Sequence, residues 1–148
     1  MKAIIFSLGG SVIVPKKPDY LFLKKFKDFI LRLSKKSKVV IVCGGGKTAR
    51  DYIKVLEKAK ASIKERCFVG IESTKLNALL LATFLGKKAN QNIPSSTKEF
   101  MHLYKKFSIV VTGGGLETFH IGTTSDGTTA YLTAKLKAKE FINLTNVN

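Results

Sequence analysis

The chain has 148 residues, of which 45% are hydrophobic, a composition typical of one globular domain rather than of a disordered segment. Its formal net charge is +16, and lysine supplies most of the positive charge because only Arg32, Arg50 and Arg66 are arginines. No apolar run approaches the ~20 residues of a membrane helix, and the first residues predict a strand rather than a signal peptide. Cys43 and Cys67 lack metal-site spacing. We therefore expect a cytoplasmic protein with buried, reduced thiols and no membrane contact.

The lysines are spread over every predicted helix, and no signature of a nucleic-acid-binding module appears in the sequence. A dedicated nucleic-acid-binding module more often concentrates Lys and Arg on one face. We therefore interpret the charge as a solvated, lysine-rich surface without a specific nucleic-acid partner. Its field would still attract anionic substrates.

Apolar runs that alternate with helical patterns define the predicted elements. Strands are predicted at residues 3–6, 39–43, 67–71, 108–112 and 140–144. Helices are predicted at residues 18–33, 49–56, 74–84, 94–104 and 125–136. This alternation predicts one α/β domain, a three-layer α/β/α sandwich with a mostly parallel central sheet.

Three of the predicted strands run into glycine clusters, at residues 9–10, 44–46 and 113–115. In a parallel sheet these turns lie along one edge, at the carboxyl ends of the strands, where open α/β folds bind ligands. Glycine lets the backbone approach a ligand closely, and a following helix presents free N–H groups to an anion. The clusters therefore predict a binding site for a phosphate-bearing ligand.

The second glycine cluster fits neither of two common phosphate-binding patterns. A Walker A loop needs glycine where Ile41 stands. A dinucleotide-binding fingerprint written over residues 44–49 lacks its acidic residue at the end of the next predicted strand. Lys47 and Arg50, about one helical turn apart, remain candidates that can both reach the oxygens of a bound phosphate.

Residues 120–127, which follow the last glycine cluster, form another candidate site segment that is rich in hydroxyl groups. Thr124 and Ser125 can donate to phosphate oxygens, and Asp126 can orient a catalytic lysine or a Mg²⁺-bound phosphate. Alternatively, these residues only cap the last helix. Because the segment follows a glycine turn at the same sheet edge, we favour the functional interpretation.

Residues 8–11, 44–50, 70–78 and 144–147 together resemble, in order, motifs of the amino acid kinase superfamily. Among its members, the archaeal type of uridylate kinase is most similar, and the resemblance covers the whole chain. It implies transfer of the γ-phosphoryl group of ATP to UMP, giving UDP for pyrimidine nucleotide biosynthesis, with Mg²⁺ as cofactor. It also implies a homo-oligomer, which is a hexamer in the family.

With the resemblance, the candidate site residues fall into three groups, and none is expected to bind a metal directly. The candidate catalytic residues are Lys47 and Asp126. The residues expected to contact UMP are Gly45, Gly115, His120, Gly122, Thr123, Thr124 and Ser125. The residues expected to contact ATP are Gly10, Ser11, Gly46, Arg50, Thr145 and Asn146.

Three features depart from the family pattern. Ser7 stands where a charged residue is common, Cys67 replaces an aspartate placed near the UMP ribose, and the loop at residues 115–122 is altered. These differences leave two alternatives open. One is a kinase of the same superfamily with another acceptor, and the other is a non-catalytic nucleotide-binding or regulatory module.

The family continues beyond the segment at residues 144–147 into a second half that supplies most of the ATP pocket. We therefore expect residues 1–148 to be the acceptor-binding half, with a sheet that is incomplete at the C-terminus. The chain would then be a fragment, or one subunit of a split enzyme whose partner chain supplies the ATP lobe.

Overall fold

The computed structural model describes residues 1–116 and 124–146, which form a four-stranded parallel sheet with helices on both faces. The strands are β1 (Ala3–Leu8), β2 (Lys38–Cys43), β3 (Ile109–Thr112) and β4 (Glu140–Leu144). The helices are α1 (Gly10–Ile13), α2 (Tyr20–Leu33), α3 (Gly46–Lys58), α4 (Ile63–Leu85), α5 (Thr97–Lys106) and α6 (Ser125–Lys135). A single 3-10 turn, Gly86–Lys88, follows α4.

The strand order is β3-β2-β1-β4, and each neighbouring pair is parallel. Ile5 of β1, for example, lies opposite Val40 of β2 and Phe141 of β4. Because all strands point the same way, their carboxyl ends lie at one edge, here called the carboxyl edge. Their amino ends lie at the opposite edge, here called the amino edge.

Two separate hydrophobic cores cover the two faces of the sheet. On one face, Phe6 and its neighbours pack with α2 and α4, including Phe26 and Leu81. On the other face, Ile5 belongs to a second core, which also contains Phe100 of α5 and Leu132 of α6. Successive strand residues point to opposite faces, so burial on both sides explains why β1, β2 and β3 are almost entirely apolar. The predicted three-layer α/β/α arrangement is confirmed.

The strand predicted at residues 67–71 is wrong, because this segment lies inside α4. A capping box starts the helix: the Glu65 N–H donates to Ser62 Oγ (3.2 Å), and the Ser62 N–H donates to the Glu65 carboxylate (2.7 Å). The Ser62 N–H and the Ser62 hydroxyl, which donates to the same carboxylate at 2.8 Å, lower the pKa of Glu65. A five-residue apolar run fits a strand and a helix equally well, and here the cap and the following helical sequence decide for helix.

Helix α4 also corrects the expectation that no apolar segment reaches membrane length. Among the residues described, the segment Ile63–Lys88 is long and apolar enough to cross a membrane, judged by length and composition alone. Core helices meet the same criterion. In this fold Ala78, Leu81 and Ala82 of α4 are fully buried in the core beneath the sheet.

Strand β4 differs from the other three strands in its exposure. Phe141 is 51% exposed, whereas the residues of β1 are all buried. Within the described residues, β4 pairs with β1 alone, so its outer side forms an open edge of the sheet. The other predicted strands and helices are confirmed with boundaries that differ by a few residues, except that the helix predicted at residues 74–84 begins earlier, at Ile63.

Candidate functional site

The three glycine clusters meet at the carboxyl edge, as predicted. The first two pack backbone against backbone: a Cβ atom on Gly10 would lie 2.3 Å from the Gly46 nitrogen and 2.6 Å from the Gly44 carbonyl oxygen. Gly46 has a φ of +56°, and a Cβ atom there would lie 2.5 Å from the carbonyl carbon of Gly10. Glycine is therefore required at positions 10 and 46, because any side chain would push the loops apart.

Two buried polar side chains of α4 hold the second and third glycine clusters. Asn77 Nδ2 donates to the Gly44 carbonyl oxygen at 2.8 Å. Thr74 Oγ1 accepts from the Gly114 N–H at 2.8 Å and donates to the Ile71 carbonyl at 2.6 Å. Sequence reasoning gave neither residue a role. The available signal was a hydroxyl and an amide on the buried side of a helix whose C-terminal half is largely apolar.

A cavity of about 270 Å³ opens between the second and third glycine clusters. Main-chain atoms, small side chains and two isoleucines form its walls. Apart from the glycine loops, these groups belong to α3, α4 and the start of α6. The lining residues are Gly45, Ile53, Cys67, Gly70, Ile71, Thr74, Gly114, Thr124 and Ser125. A larger cavity of about 550 Å³ lies beside α5, but none of the glycine clusters lines it, so volume alone does not identify the site.

Helix α6 begins at the wall of this cavity. Thr124 Oγ1 accepts from the Gly127 N–H at 3.3 Å, so the predicted capping interaction is confirmed. A Cβ atom on Gly44 would lie 3.3 Å from Ser125 Oγ, which places this hydroxyl next to the second glycine cluster. The positive end of the α6 dipole therefore faces the region where three glycine loops converge.

Asp126, a candidate catalytic residue, accepts a hydrogen bond from Ser7. The Ser7 Oγ atom donates to Asp126 Oδ1 at 3.1 Å, across 119 positions of the sequence. Ser7 is buried in β1 on the face that packs against α6. The departure from the family pattern at position 7 thus provides a neutral donor that positions the Asp126 carboxylate.

Lys47 and Arg50 lie in the first turns of α3, at the carboxyl edge. The Lys47 ammonium donates to the Asp51 carboxylate, and this contact lowers the pKa of Asp51. Arg50 Nη2 donates to Ser11 Oγ at 3.3 Å, across the contact between the first two loops. Neither Lys47 nor Arg50 is among the residues that line the cavity, and Arg50 contacts Ser11 of α1.

The segment after β4 lies beside the first glycine cluster. Asn146 Nδ2 donates to the Ser11 carbonyl at 2.9 Å, and the Gly9 N–H donates to the Leu144 carbonyl at 2.8 Å. A Cβ atom on Gly9 would lie 3.6 Å from the Thr145 side chain. The structure thus brings Ser11, Arg50, Thr145 and Asn146 together, and none of these four residues lines the cavity.

The remaining predicted residues differ in their placement. The Gly115 N–H donates to Thr128 Oγ1 at 3.2 Å, next to the cavity wall. His120, Gly122 and Thr123 lie outside the described residues. Cys43 is fully buried, which raises the pKa of its thiol well above the usual range, whereas Cys67 is half-buried and lines the cavity.

Glycine loops at the carboxyl ends of a parallel α/β sheet are typical of proteins that bind phosphate-bearing ligands. Sequence comparison identifies the family. The profile of the amino acid kinase family matches residues 2–148, and the chain belongs to this family.

Several uridylate kinases are similar to the chain. The uridylate kinase of Pyrococcus abyssi is 37% identical over 145 residues, which cover 98% of this chain and 63% of the relative. That of Thermoplasma volcanium is 39% identical over 147 residues, covering 99% of this chain and 62% of the relative. The chain thus spans less than two thirds of the length of these relatives.

Solved structures agree with the fold. The crystal structure of uridylate kinase from Archaeoglobus fulgidus matches with a TM-score of 0.87 and 36% identity, covering all of this chain and 64% of that chain. The UMP kinase of Bacillus anthracis matches with a TM-score of 0.79 at 17% identity, covering 99% of this chain and 66% of that chain. At this lower identity the likeness concerns the fold alone.

Proposed function

We propose that the chain forms the acceptor-binding part of a uridylate kinase, which transfers the γ-phosphoryl group of ATP to UMP and gives UDP. One observation supports this proposal most directly: a cavity at the carboxyl edge, walled by Gly45, Gly114 and Ser125, in a chain of this family. Family membership narrows the chemistry to phosphoryl transfer, and the similarity to uridylate kinases suggests UMP as the acceptor.

In this proposal UMP occupies the cavity, with its phosphate toward the start of α6. Backbone N–H groups near Gly45, together with the Thr124 and Ser125 hydroxyls, would hold the phosphate oxygens. Gly115, whose N–H donates to Thr128, would contact UMP through its other main-chain atoms. His120, Gly122 and Thr123 would complete the contacts from the preceding loop. The half-buried Cys67 would lie against another part of the nucleotide.

The ATP phosphates would lie on the other side of the loops, beside Gly10, Ser11 and Gly46. Lys47 and Arg50 would neutralise charge that develops on the transferred group, and Thr145 and Asn146 would begin the donor pocket. Asp126, positioned by Ser7, would stand between the two sides and orient the reacting phosphate.

The donor set of this edge fits a Mg²⁺ ion that is held mainly by phosphate oxygens and water. Within the described residues, no three His, Cys, Asp or Glu side chains come together, and Asp126 is a carboxylate at this edge. Mg²⁺ is usually bound in this way, through one or two carboxylates plus substrate phosphates. When bound, it would neutralise the phosphates during transfer.

The proposal includes two kinds of partner chain. A second unit, possessing the ATP-binding half of the family fold, would complete the donor pocket beside Asn146 and the open edge of β4. A homo-oligomer is also proposed, since Tyr52, Leu76 and Leu79 on α3 and α4 are exposed apolar side chains. We also propose a cytoplasmic location.

The position of Cys67 in the cavity allows a direct test of UMP binding. Iodoacetamide should modify Cys67 and leave the buried Cys43 unmodified, which provides an internal control. If UMP occupies the cavity, saturating UMP should slow the modification of Cys67 at least about fivefold, as measured by mass spectrometry. AMP at the same concentration should have a smaller effect. Modification at the same rate with and without UMP would contradict binding in this cavity.

Catalysis requires a second experiment. A chimera in which this chain replaces the matching part of the Pyrococcus abyssi relative should form UDP from UMP and Mg-ATP. Lys47→Ala and Asp126→Ala chimeras should lose most of this activity. UMP protection of Cys67 without any UDP from the chimera would favour the non-catalytic nucleotide-binding module instead.

A further inference from the structure

The amino edge of the sheet collects lysines that are scattered in the sequence. Residues 35–38 and 105–108 lead into β2 and β3, and residues 135–139 lead into β4. Residues 87–88 reach the start of β3, because Ala89 bridges to that strand. These four segments, here called the lysine edge, contain ten lysines and no Asp or Glu.

Backbone contacts hold the four segments close together. The Lys139 N–H donates to the Ala3 carbonyl at 2.8 Å, and the Val39 N–H donates to the Ser108 carbonyl at 2.9 Å. Four neighbouring strands span only about 14 Å, at ~4.8 Å per strand. Since the Debye length at physiological salt is about 8 Å, the fields of neighbouring lysines overlap.

Little of this charge is neutralised within the fold. Lys38 donates to the Tyr104 and Phe107 carbonyls at the end of α5, and Lys139 lies 3.5 Å from the Glu140 carboxylate. Helices α2, α4, α5 and α6 also end here, and each end is equivalent to roughly half a negative charge. Helix ends therefore offset only about two of the ten positive charges.

We propose that the lysine edge binds the phosphate backbone of single-stranded nucleic acid without base specificity. A dense row of exposed lysines matches a polyanion with regularly repeated phosphates. Phe141 lies two residues after Lys139 and is 51% exposed, so it offers a surface on which a base can stack. The edge consists of strand starts and helix ends rather than an amphipathic helix that could enter a bilayer, so nucleic acid fits it better than a membrane.

This surface is separate from the proposed nucleotide site. The two lie at opposite ends of strands of four to six residues, which at ~3.3 Å per residue are up to about 20 Å long. Phosphate binding by the lysines therefore does not depend on the kinase proposal, whereas stacking of a base on Phe141 requires this side of β4 to be uncovered. Either one can fail while the other stands.

The test compares two variants with equal loss of charge. The edge variant has Lys36, Lys88, Lys106 and Lys137 changed to Gln, and the control variant has Lys24, Lys54, Lys64 and Lys98 changed to Gln. All eight lysines are exposed. Binding of a fluorescent 20-nucleotide deoxyadenylate strand is measured by anisotropy between 50 and 200 mM NaCl, roughly the range over which phosphate contacts dominate affinity.

At 100 mM salt we expect the edge variant to bind at least about tenfold more weakly than the unmodified chain, with a log–log salt slope shallower by about two to three. The control variant should lose less than about threefold. A third variant, with Arg at the four edge positions, should retain binding, which separates loss of charge from loss of fold.

Three results would overturn the proposal. Equal losses in the edge and control variants would mean that net charge, not the lysine edge, determines binding. Absence of oligonucleotide binding at 50 mM NaCl would mean that the surface binds no nucleic acid. Binding to phosphatidylserine vesicles without binding to the oligonucleotide would assign the surface to membranes.

Discussion

Gly10 and Gly46 are the residues on which the geometry of the carboxyl edge most depends. Their loops touch through main-chain atoms, so the space that a side chain would need is already filled. Gly70, in contrast, lies in the middle of α4, and a Cβ atom there would meet only the flexible end of Ile53 at 3.3 Å. The two kinds of glycine should respond differently to the same substitution.

Gly10→Ala should destabilise the chain by about 1–3 kcal/mol, because the added methyl group overpacks two backbones. Gly70→Ala is the matched control, and it should be neutral or stabilising by up to about 1 kcal/mol, since alanine favours a helix interior. Urea unfolding of both variants measures the difference. Equal stabilities would show that the loops can separate at little cost.

Some residues of the site could be predicted from the sequence and others could not. The glycine clusters were predictable, because a parallel sheet brings all strand ends to one edge. The bond from Ser7 to Asp126 and the bond from Asn77 to Gly44 were not, because they join residues 119 and 33 positions apart. Such pairs follow from packing of α4 and α6 against the strands, which periodicity does not specify.

At the scale of elements, four strands and most helices were predictable, and the error at residues 67–71 has a clear cause. The apolar run there is as short as a strand, and its helical character depends on Ser62 and Glu65, which precede it. Those residues form the S-x-x-E pattern of a capping box, so the signal was present in the sequence. The capping box, rather than the short apolar run, indicates the observed structure of this segment, which is a helix.

The cap of α4 gives a prediction for this element. Ser62→Ala should reduce the free energy of unfolding by about 1 kcal/mol, because the first N–H groups of the helix lose a side-chain acceptor. Ser108→Ala, at an exposed serine where no helix begins, is the control and should change stability by less than about 0.5 kcal/mol. Urea denaturation would contradict the prediction if the two variants were equally stable.

At the scale of the whole molecule, exposed apolar groups lie on β4 and on α2 as well as on the face of α3 and α4. Phe141 belongs to the open edge strand β4, and Leu21, 68% exposed, lies on α2. An open strand edge is a template for pairing with another chain, and charged residues on such an edge prevent this pairing. An exposed residue at the start of a helix offers no such template.

Phe141→Lys should therefore reduce self-association more than Leu21→Lys does, although both changes add one charge. We expect sedimentation velocity at high and low protein concentration to show a smaller assembled fraction for Phe141→Lys. If the two variants associate equally, contact between copies does not use the β4 edge, and the exposed face of α3 and α4 becomes the better candidate.

The pairing of β1 with β4 has a consequence for synthesis of the chain. Ile4 pairs with Glu140, so β1 gains this neighbour only after more than a hundred further residues have been made. Until then β1 has one unpaired side, and its apolar residues need β2 and α2 for cover. The nascent chain should accordingly depend on chaperones that protect exposed strands, since such intermediates aggregate readily.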